Sequence, residues 1–402
     1  MRKVFLVVLA AVVFFVTHAQ TGLEIADPKL KKETALNDKL KIEEDRKNDT
    51  NFIIIKSIAA TPVKNQAITG TCWCFSTTSL IESQCLKNNL GEMDLSEMFA
   101  VRNTYLEKAK NYILRQGHTQ FGEGGLGHDL LNAIAKYGAM PESVYSGLKE
   151  GYTQHNHVRL VMELKEYLDS MLKLNPVPKD WMEEYEEKMN EELGDPPAKF
   201  NYKGKEYTPK TFASEVLKFN PDDYVYITSF THHPYYQPFI LEVPDNFSNG
   251  AYYNVPLNEM IQLTKDAVIN GYSVLWDADV SNDGFQQKLG AAANFENLPL
   301  EQKSKAGLST GQAKEGKWDA DTRQKLFENL TTQDDHLMHI TGLAKSKAGN
   351  NFFLVKNSWG DVGPRHGYIN VSEAYFAINT VSLVIPKAAL SKLMLEKLKI
   401  KN

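Results

Sequence analysis

The stretch VKNQAITGTCWCFSTTS, Val63 to Ser79, gathers a glutamine, two cysteines and a tryptophan among small and polar residues, and a Leu-Ile pair follows directly. Two chemistries are open to it: a redox or metal pair of cysteines, or a single reactive thiol where a helix begins. A thiol attacks only as thiolate, so its free pKa of about 8.5 must be lowered. The unpaired N–H groups and dipole at a helix amino terminus favour negative charge, which suits Cys72 as the first residue of a helix. A histidine must take the proton, and a third group must fix that imidazole. The carboxy-terminal half offers DDHLMHITG and VKNSWG. His336 begins a predicted strand, and Asn357 and Trp359 follow the strand NFFLV. An amide can accept a hydrogen bond from one ring nitrogen and leave the other facing sulfur, while an indole beside the pair keeps water off it.

The metal alternative fits less well. Zinc sites space paired cysteines two to four residues apart and need two further ligands, whereas only Trp73 separates Cys72 from Cys74. A helix from Trp73 onward would hold Cys74 and Cys85 about 16 Å apart. That exceeds the reach of a disulfide, roughly 7 Å between Cα atoms. Cys72 and Cys74 would point to different sides, so no bridge is expected, and Cys74 and Cys85 read as packed core. His339 reads as a strand residue facing away from the sulfur, and His232 and His233 as part of a turn beside Pro234. GEGGLG, Gly122 to Gly127, matches the dinucleotide pattern, but RQGHTQF before it is no buried strand. Neither a metal nor an organic cofactor is expected.

The elements that must position these residues change character along the chain. Residues 1–19 read as a signal peptide: Met1-Arg2-Lys3, an apolar run from Val4 to Val16, and Thr17 and Ala19 before a cleavage point. That implies export, periplasmic or extracellular, with no integral membrane span in the mature chain. Residues 20–50 form a charged leader. Residues 51–150 open with the strand-like NFIIIKSIAATP and hold three predicted helices: Cys72 to Asn88, Asp94 to Arg115 with Ser96 as N-cap, and one ending near Gly138. Residues 151–220 read as a charge-rich helical insertion. Residues 221–386 supply short β-runs, among them YVYITSF, YSVLWDADV, HLMHITGLAKS and NTVSLVIP. Residues 387–402 form a basic tail, an amphipathic helix or a frayed end. Helices first and strands later indicate an α+β protein whose two parts meet at a cleft. The net charge of −5 gives no argument for nucleic acid or for an acidic membrane surface.

TPVKNQ with GTCWCFS, then DLSE, GG, DH and KNSWG in this order, resembles the papain-like cysteine peptidases. LSEMF…RNTYLEKA, AKYGAMPESVY and DAVINGYSVLWDADVS bring it closest to the bleomycin hydrolase and aminopeptidase C branch, as does Thr69 where papain proper carries a disulfide cysteine. The resemblance implies a helical left part packed on a β-barrel-like right part. It makes Cys72 the nucleophile, His336 the acid/base and Asn357 its orienter. Gln66 would complete the oxyanion hole with the Cys72 N–H, Trp359 would shield the His336–Asn357 pair, and Gly124 and Gly125 would leave room for substrate backbone. The implied function is a cysteine peptidase acting on peptides or proteins, an aminopeptidase in this branch. There the C-terminal arm reaches the cleft and its carboxylate captures the substrate's α-amine, whereas this chain ends in LEKLKIKN shortly past Pro386. An open-cleft endopeptidase and a silent peptide-binding module are the alternatives, and homo-oligomerisation is left open.

Overall fold

The computed structural model describes residues 49–401, and the change from helix to strand falls where the apolar pattern changes period. The signal-peptide reading of 1–19 and nearly all of the charged leader lie outside the described residues. A first strand, β1 (Phe52–Ser57), is followed by α1 (Cys72–Lys87), α2 (Glu97–Leu114) and α3 (Gly127–Tyr137). The α1 helix begins at Cys72 itself, and Trp73, Cys74, Leu80, Ile81 and Cys85 are all buried along it. The Ser96 hydroxyl caps α2 by accepting from the Phe99 N–H at 3.1 Å, a contact worth about 1 kcal/mol. The α3 helix stops at Gly138, whose φ of 89° falls in the left-handed region that favours glycine.

The insertion carries two amphipathic helices, α4 (Val158–Met171) and α5 (Trp181–Leu193), then a hairpin of β2 (Phe200–Tyr202) and β3 (Lys205–Tyr207), then α6 (Pro209–Glu215). It is therefore not purely helical. Leu160, Leu164 and Leu168 of α4 and Tyr185 and Met189 of α5 share one apolar cluster with α1 to α3. Each such side chain contributes roughly 1.5–3 kcal/mol by leaving water.

The later strands are β4 (Tyr224–Thr228), β5 (Pro238–Ile240), β6 (Ala251–Asn254), β7 (Val274–Ala278), β8 (Phe285–Gln286) and β9 (Ala291–Ala292). They are followed by β10 (His336–Ser346), β11 (Asn351–Lys356), β12 (Tyr368–Ser372) and β13 (Thr380–Pro386). The pairing runs β5-β6-β4-β13-β7-β10-β11-β12-β9-β8, with β1 joined to β10 as well. This sheet is open, so the barrel-like description is corrected. The terminal strands β5 and β8 are three and two residues long, too short to pair with each other and close the sheet. Three helices accompany the sheet, α7 (Leu257–Ile269), α8 (Ala320–Glu328) and α9 (Glu373–Asn379), around a second core in which Trp276 stacks on Phe376 at 5.8 Å.

The β10 strand shifts register between Ile340 and Gly342 along β11. Its first half pairs with β7, bringing His336 opposite Ala278 and Leu337 opposite Asp277, and its second half pairs with β1. The tail forms α10 (Lys392–Lys397), and Met394, Leu395 and Leu398 join the second core. The Lys397 ammonium holds Glu259 of α7 at 3.0 Å. Among the described residues no helix is long and apolar enough to cross a membrane.

Candidate active site

Residues 72, 76 and 79 lie on one face of α1, because positions four and seven apart fall one and two turns on. That face meets β10. The Ser76 hydroxyl donates to the Leu337 carbonyl at 2.6 Å, and Ser79 Oγ lies 2.9 Å from His339 Nδ1. Cys72 therefore stands over the start of β10, and its sulfur interacts with the Leu337 backbone, next to His336. His339 is buried and tied to Ser79 one turn further on.

His336 Nε2 and Asn357 Oδ1 are 2.7 Å apart, both side chains buried. The Asn357 oxygen also accepts from the Ser358 N–H at 2.7 Å, and its amide nitrogen donates to Gln287 Oε1 at 3.0 Å. The amide cannot turn over without losing these bonds, so Nε2 carries the imidazole proton and Nδ1 is left as an acceptor. Trp359 covers the imidazole with ring centroids 4.7 Å apart. Gln66 is held by its backbone N–H on the Ser358 carbonyl at 2.8 Å and by Ser358 Oγ on its side-chain oxygen at 2.7 Å. One N–H of its amide bonds the Thr69 carbonyl at 2.7 Å.

Burial is the dominant electrostatic influence. It pushes the Cys72 thiol up to about 12, against a hydrogen bond at Leu337, while Asp334, Asp277 and Asp245 push in the same direction as burial. Burial lowers His336, opposed by the Asn357 hydrogen bond and by Asp335. Burial therefore favours the uncharged form of both side chains.

The space beside Gly124 is filled: a Cβ there would overlap the Asp245 carboxylate. Gly125 has a different reason for being glycine, since a Cβ would lie 3.1 Å from the Trp73 ring, whose indole N–H donates to the Glu123 carbonyl at 2.9 Å. Room for substrate backbone is thus narrower than two glycines suggest. Cys74 is buried with its thiol 3.3 Å from the Glu97 carbonyl, and Cys85 is buried too, so all three cysteines are free thiols.

Sequence reasoning missed Gln287, Ser358 and the carboxylates Asp245, Asp277 and Asp334, because their roles depend on chain crossings that no local pattern encodes. The DD pair before His336 was the one visible signal. His232 and His233 do more than occupy a turn, since their Nε2 atoms lie 3.2 and 2.7 Å from the two Glu242 oxygens. Gln324 donates to His232 Nδ1 at 2.8 Å, which leaves the proton on Nε2 for Glu242.

The model of the Peptidase C1-like family matches residues 18–402. Aminopeptidase W of Lactobacillus delbrueckii subsp. lactis is 24% identical over 386 residues, covering 84% of this chain and 83% of that protein. Aminopeptidase C of Listeria monocytogenes is 25% identical over 381 residues, covering 84% and 83%. The mitochondrial cysteine proteinase 1 of Saccharomyces cerevisiae is 25% identical over 397 residues, covering 86% and 79%. The crystal structure of PepW from Lactobacillus rhamnosis superposes with a TM-score of 0.68 at 19% identity, over 93% of this chain and 95% of that one. These relatives overturn the expectation of export after cleavage near Ala19, since the compartment printed for one of them is the mitochondrion. A basic start and a short apolar run are a local signal, and similarity spanning most of the chain outweighs it.

Proposed function

The chain belongs to the Peptidase C1-like family, and from that premise we propose that it removes N-terminal residues from peptides through Cys72, His336 and Asn357 by way of a thioester. It is a cysteine peptidase of the branch that holds the aminopeptidases C. The observation that carries the site reading is the buried His336–Asn357 hydrogen bond of 2.7 Å, opposite the amino terminus of α1. The names of the relatives favour aminopeptidase action.

In this reading His336 Nδ1 takes the thiol proton as sulfur adds to the peptide carbonyl. The Cys72 N–H, unpaired as the first of a helix, and the Gln66 amide stabilise the oxyanion. The imidazolium then protonates the leaving amine. The C–N bond breaks and the thioester remains, until water, deprotonated by His336, hydrolyses it and restores the thiol. Asn357 keeps the proton on Nε2 throughout, and Trp359 keeps water off that bond. Leu398 and Ile400 of the tail pack against the second core.

Two fluorogenic peptides identical except for a free or acetylated N-terminus, assayed with the native chain and with Cys72→Ala, test the reading. Hydrolysis of the free peptide alone, abolished in the variant, is the expected result. Cleavage of the blocked peptide would mean an endopeptidase, and equal activity in the variant would remove Cys72 from the mechanism.

A further inference from the structure

The two donors that the proposed mechanism assigns to the oxyanion are held in different ways. The Cys72 N–H belongs to the peptide unit whose carbonyl, that of Thr71, accepts from the Cys74 and Phe75 N–H groups at 2.9 and 3.2 Å. The first turn of α1 therefore fixes its direction. Gln66 lies before the helix and has no such support. Its side-chain oxygen accepts from Ser358 Oγ at 2.7 Å, and its amide nitrogen donates to the Thr69 carbonyl at 2.7 Å. A peptide unit is planar, so the direction of the Thr69 carbonyl is tied to that of the Gly70 N–H. Whatever holds the Gly70 N–H also aims the acceptor on which Gln66 rests.

Glu123 holds it. Its Oε2 accepts from the Gly70 N–H at 2.6 Å, and a Cβ at Gly70 would lie 2.9 Å from the Glu123 Cβ, so this approach requires glycine. The Glu123 backbone is itself anchored. Its carbonyl accepts from the Trp73 indole N–H at 2.9 Å. The Lys108 ammonium of α2 donates to the Gly122 carbonyl at 2.8 Å and to the Gly124 carbonyl, one on each side of Glu123. A hydrogen bond to a charged acceptor is shorter and about twice as strong as one between neutral groups. It also polarises the peptide unit, which makes the Thr69 oxygen a better acceptor for Gln66. Carboxylate, peptide unit and amide thus form one series with a hydrogen bond at each joint.

We propose that Glu123 is a positioning residue for peptide hydrolysis, setting the Gln66 amide toward the oxyanion through the Thr69–Gly70 peptide unit, an assignment that rests on the cysteine peptidase reading above. Glu123 acts through Gln66 and takes no part in proton transfer. What the role demands is an acceptor oxygen at the right reach, so the carboxylate's charge strengthens the bond without being essential to it.

The test measures kcat and KM on the free-amine fluorogenic peptide, and the rate at which iodoacetamide alkylates Cys72, assigned by peptide mass. Alkylation displaces iodide from a saturated carbon and develops no oxyanion, so it reports on the thiol alone. Glu123→Ala, which removes the acceptor, and Glu123→Asp, which shortens its reach, should each lower kcat about tenfold, part of the roughly 10²–10³ that a whole oxyanion donor is worth. KM and the alkylation rate should stay native. Glu123→Gln keeps an acceptor oxygen and should keep most of kcat. Gln66→Ala should be slow, and Gln66→Ala with Glu123→Ala no slower, because the tie then has nothing to aim. An additive loss in the double variant, or alkylation that falls in step with kcat, would place the effect of Glu123 on the fold or the thiol and overturn the proposal. So would a native kcat in both Glu123→Ala and Glu123→Asp, or a native kcat in Glu123→Asp with a slow Glu123→Gln, which would make charge the operative property. A native kcat in Gln66→Ala overturns the oxyanion reading itself. Should Glu123→Ala fail to fold, Glu123→Asp takes its place in each comparison.

Discussion

The wall of the site built from β10 and β11 and the wall built around Asp245 treat their polar atoms in opposite ways. On the first, Asn357 spends its oxygen on His336 and the Ser358 N–H and its nitrogen on Gln287, and Gln66 is bonded at both ends of its amide. On the second, the Asp277 and Asp334 carboxyl groups hydrogen-bond each other, which requires that one of them keep a proton. A network of amides and hydroxyls keeps its bonds at any pH, whereas a carboxyl pair keeps its bond only while it holds a proton.

The largest effect that would break this contrast is on the rigid wall. His336→Ala should reduce kcat by roughly 10⁵-fold, since a nucleophile and its base act as one unit. Single-turnover kinetics check it, and a loss under tenfold would mean that another base serves Cys72.

On the acidic wall the effect is one of pH. Burial raises Asp277 to about 7 from its ordinary 3.8, with Asp245 and Asp335 adding to that and Ser382 and Asp334 opposing it. Burial also raises Asp334 well above its usual range, with Asp277 and Asp245 adding to it. Tyr252 of β6 hydrogen-bonds Ser382 and interacts electrostatically with Asp277. Below about pH 4 the Asp277 carboxyl is protonated folded or unfolded, and its contribution to stability is whole. As pH rises through 7 the folded state must ionise it or hold an extra proton, and stability falls. Thermal melts at pH 5 and pH 8 should show a smaller drop for Asp277→Asn than for the native chain, by several degrees. Equal drops would mean that Asp277 titrates normally.

The smallest effect sharpens the first wall. Ser358→Ala removes one hydrogen bond to Gln66, worth about 1 kcal/mol, and frees the amide to turn. A modest fall in kcat with KM unchanged is expected, measured on the free-amine peptide. An unchanged kcat would leave Gln66 outside the oxyanion hole.

Much of the helical part was legible in the sequence because its signals are local. Ser96 capped the helix it was expected to cap, Gly138 ended α3, and α1 began at Cys72. The strands followed their β-branched and aromatic runs, from YVYITSF to NTVSLVIP. How they pair was not legible: an apolar alternation marks a strand but not its neighbours, and closure into a barrel depends on edges as short as β8. The insertion's hairpin was missed for the same reason, since FNYKGKEY carries only three residues per strand.

Within the site, the type and spacing of Gln66, Cys72, His336, Asn357 and Trp359 were fixed by the chain alone, because each motif needs its residues within a few positions of a helix start or a strand end. Only the tertiary structure decided what surrounds them. Asp245, Asp277 and Asp334 come from three separate segments, and their mutual approach beside Cys72 depends on β7 pairing with β10 and on one loop folding back against Gly124. Charge adds over distance in space, not over distance in sequence, so the electrostatic character of this cleft existed nowhere in the one-dimensional pattern.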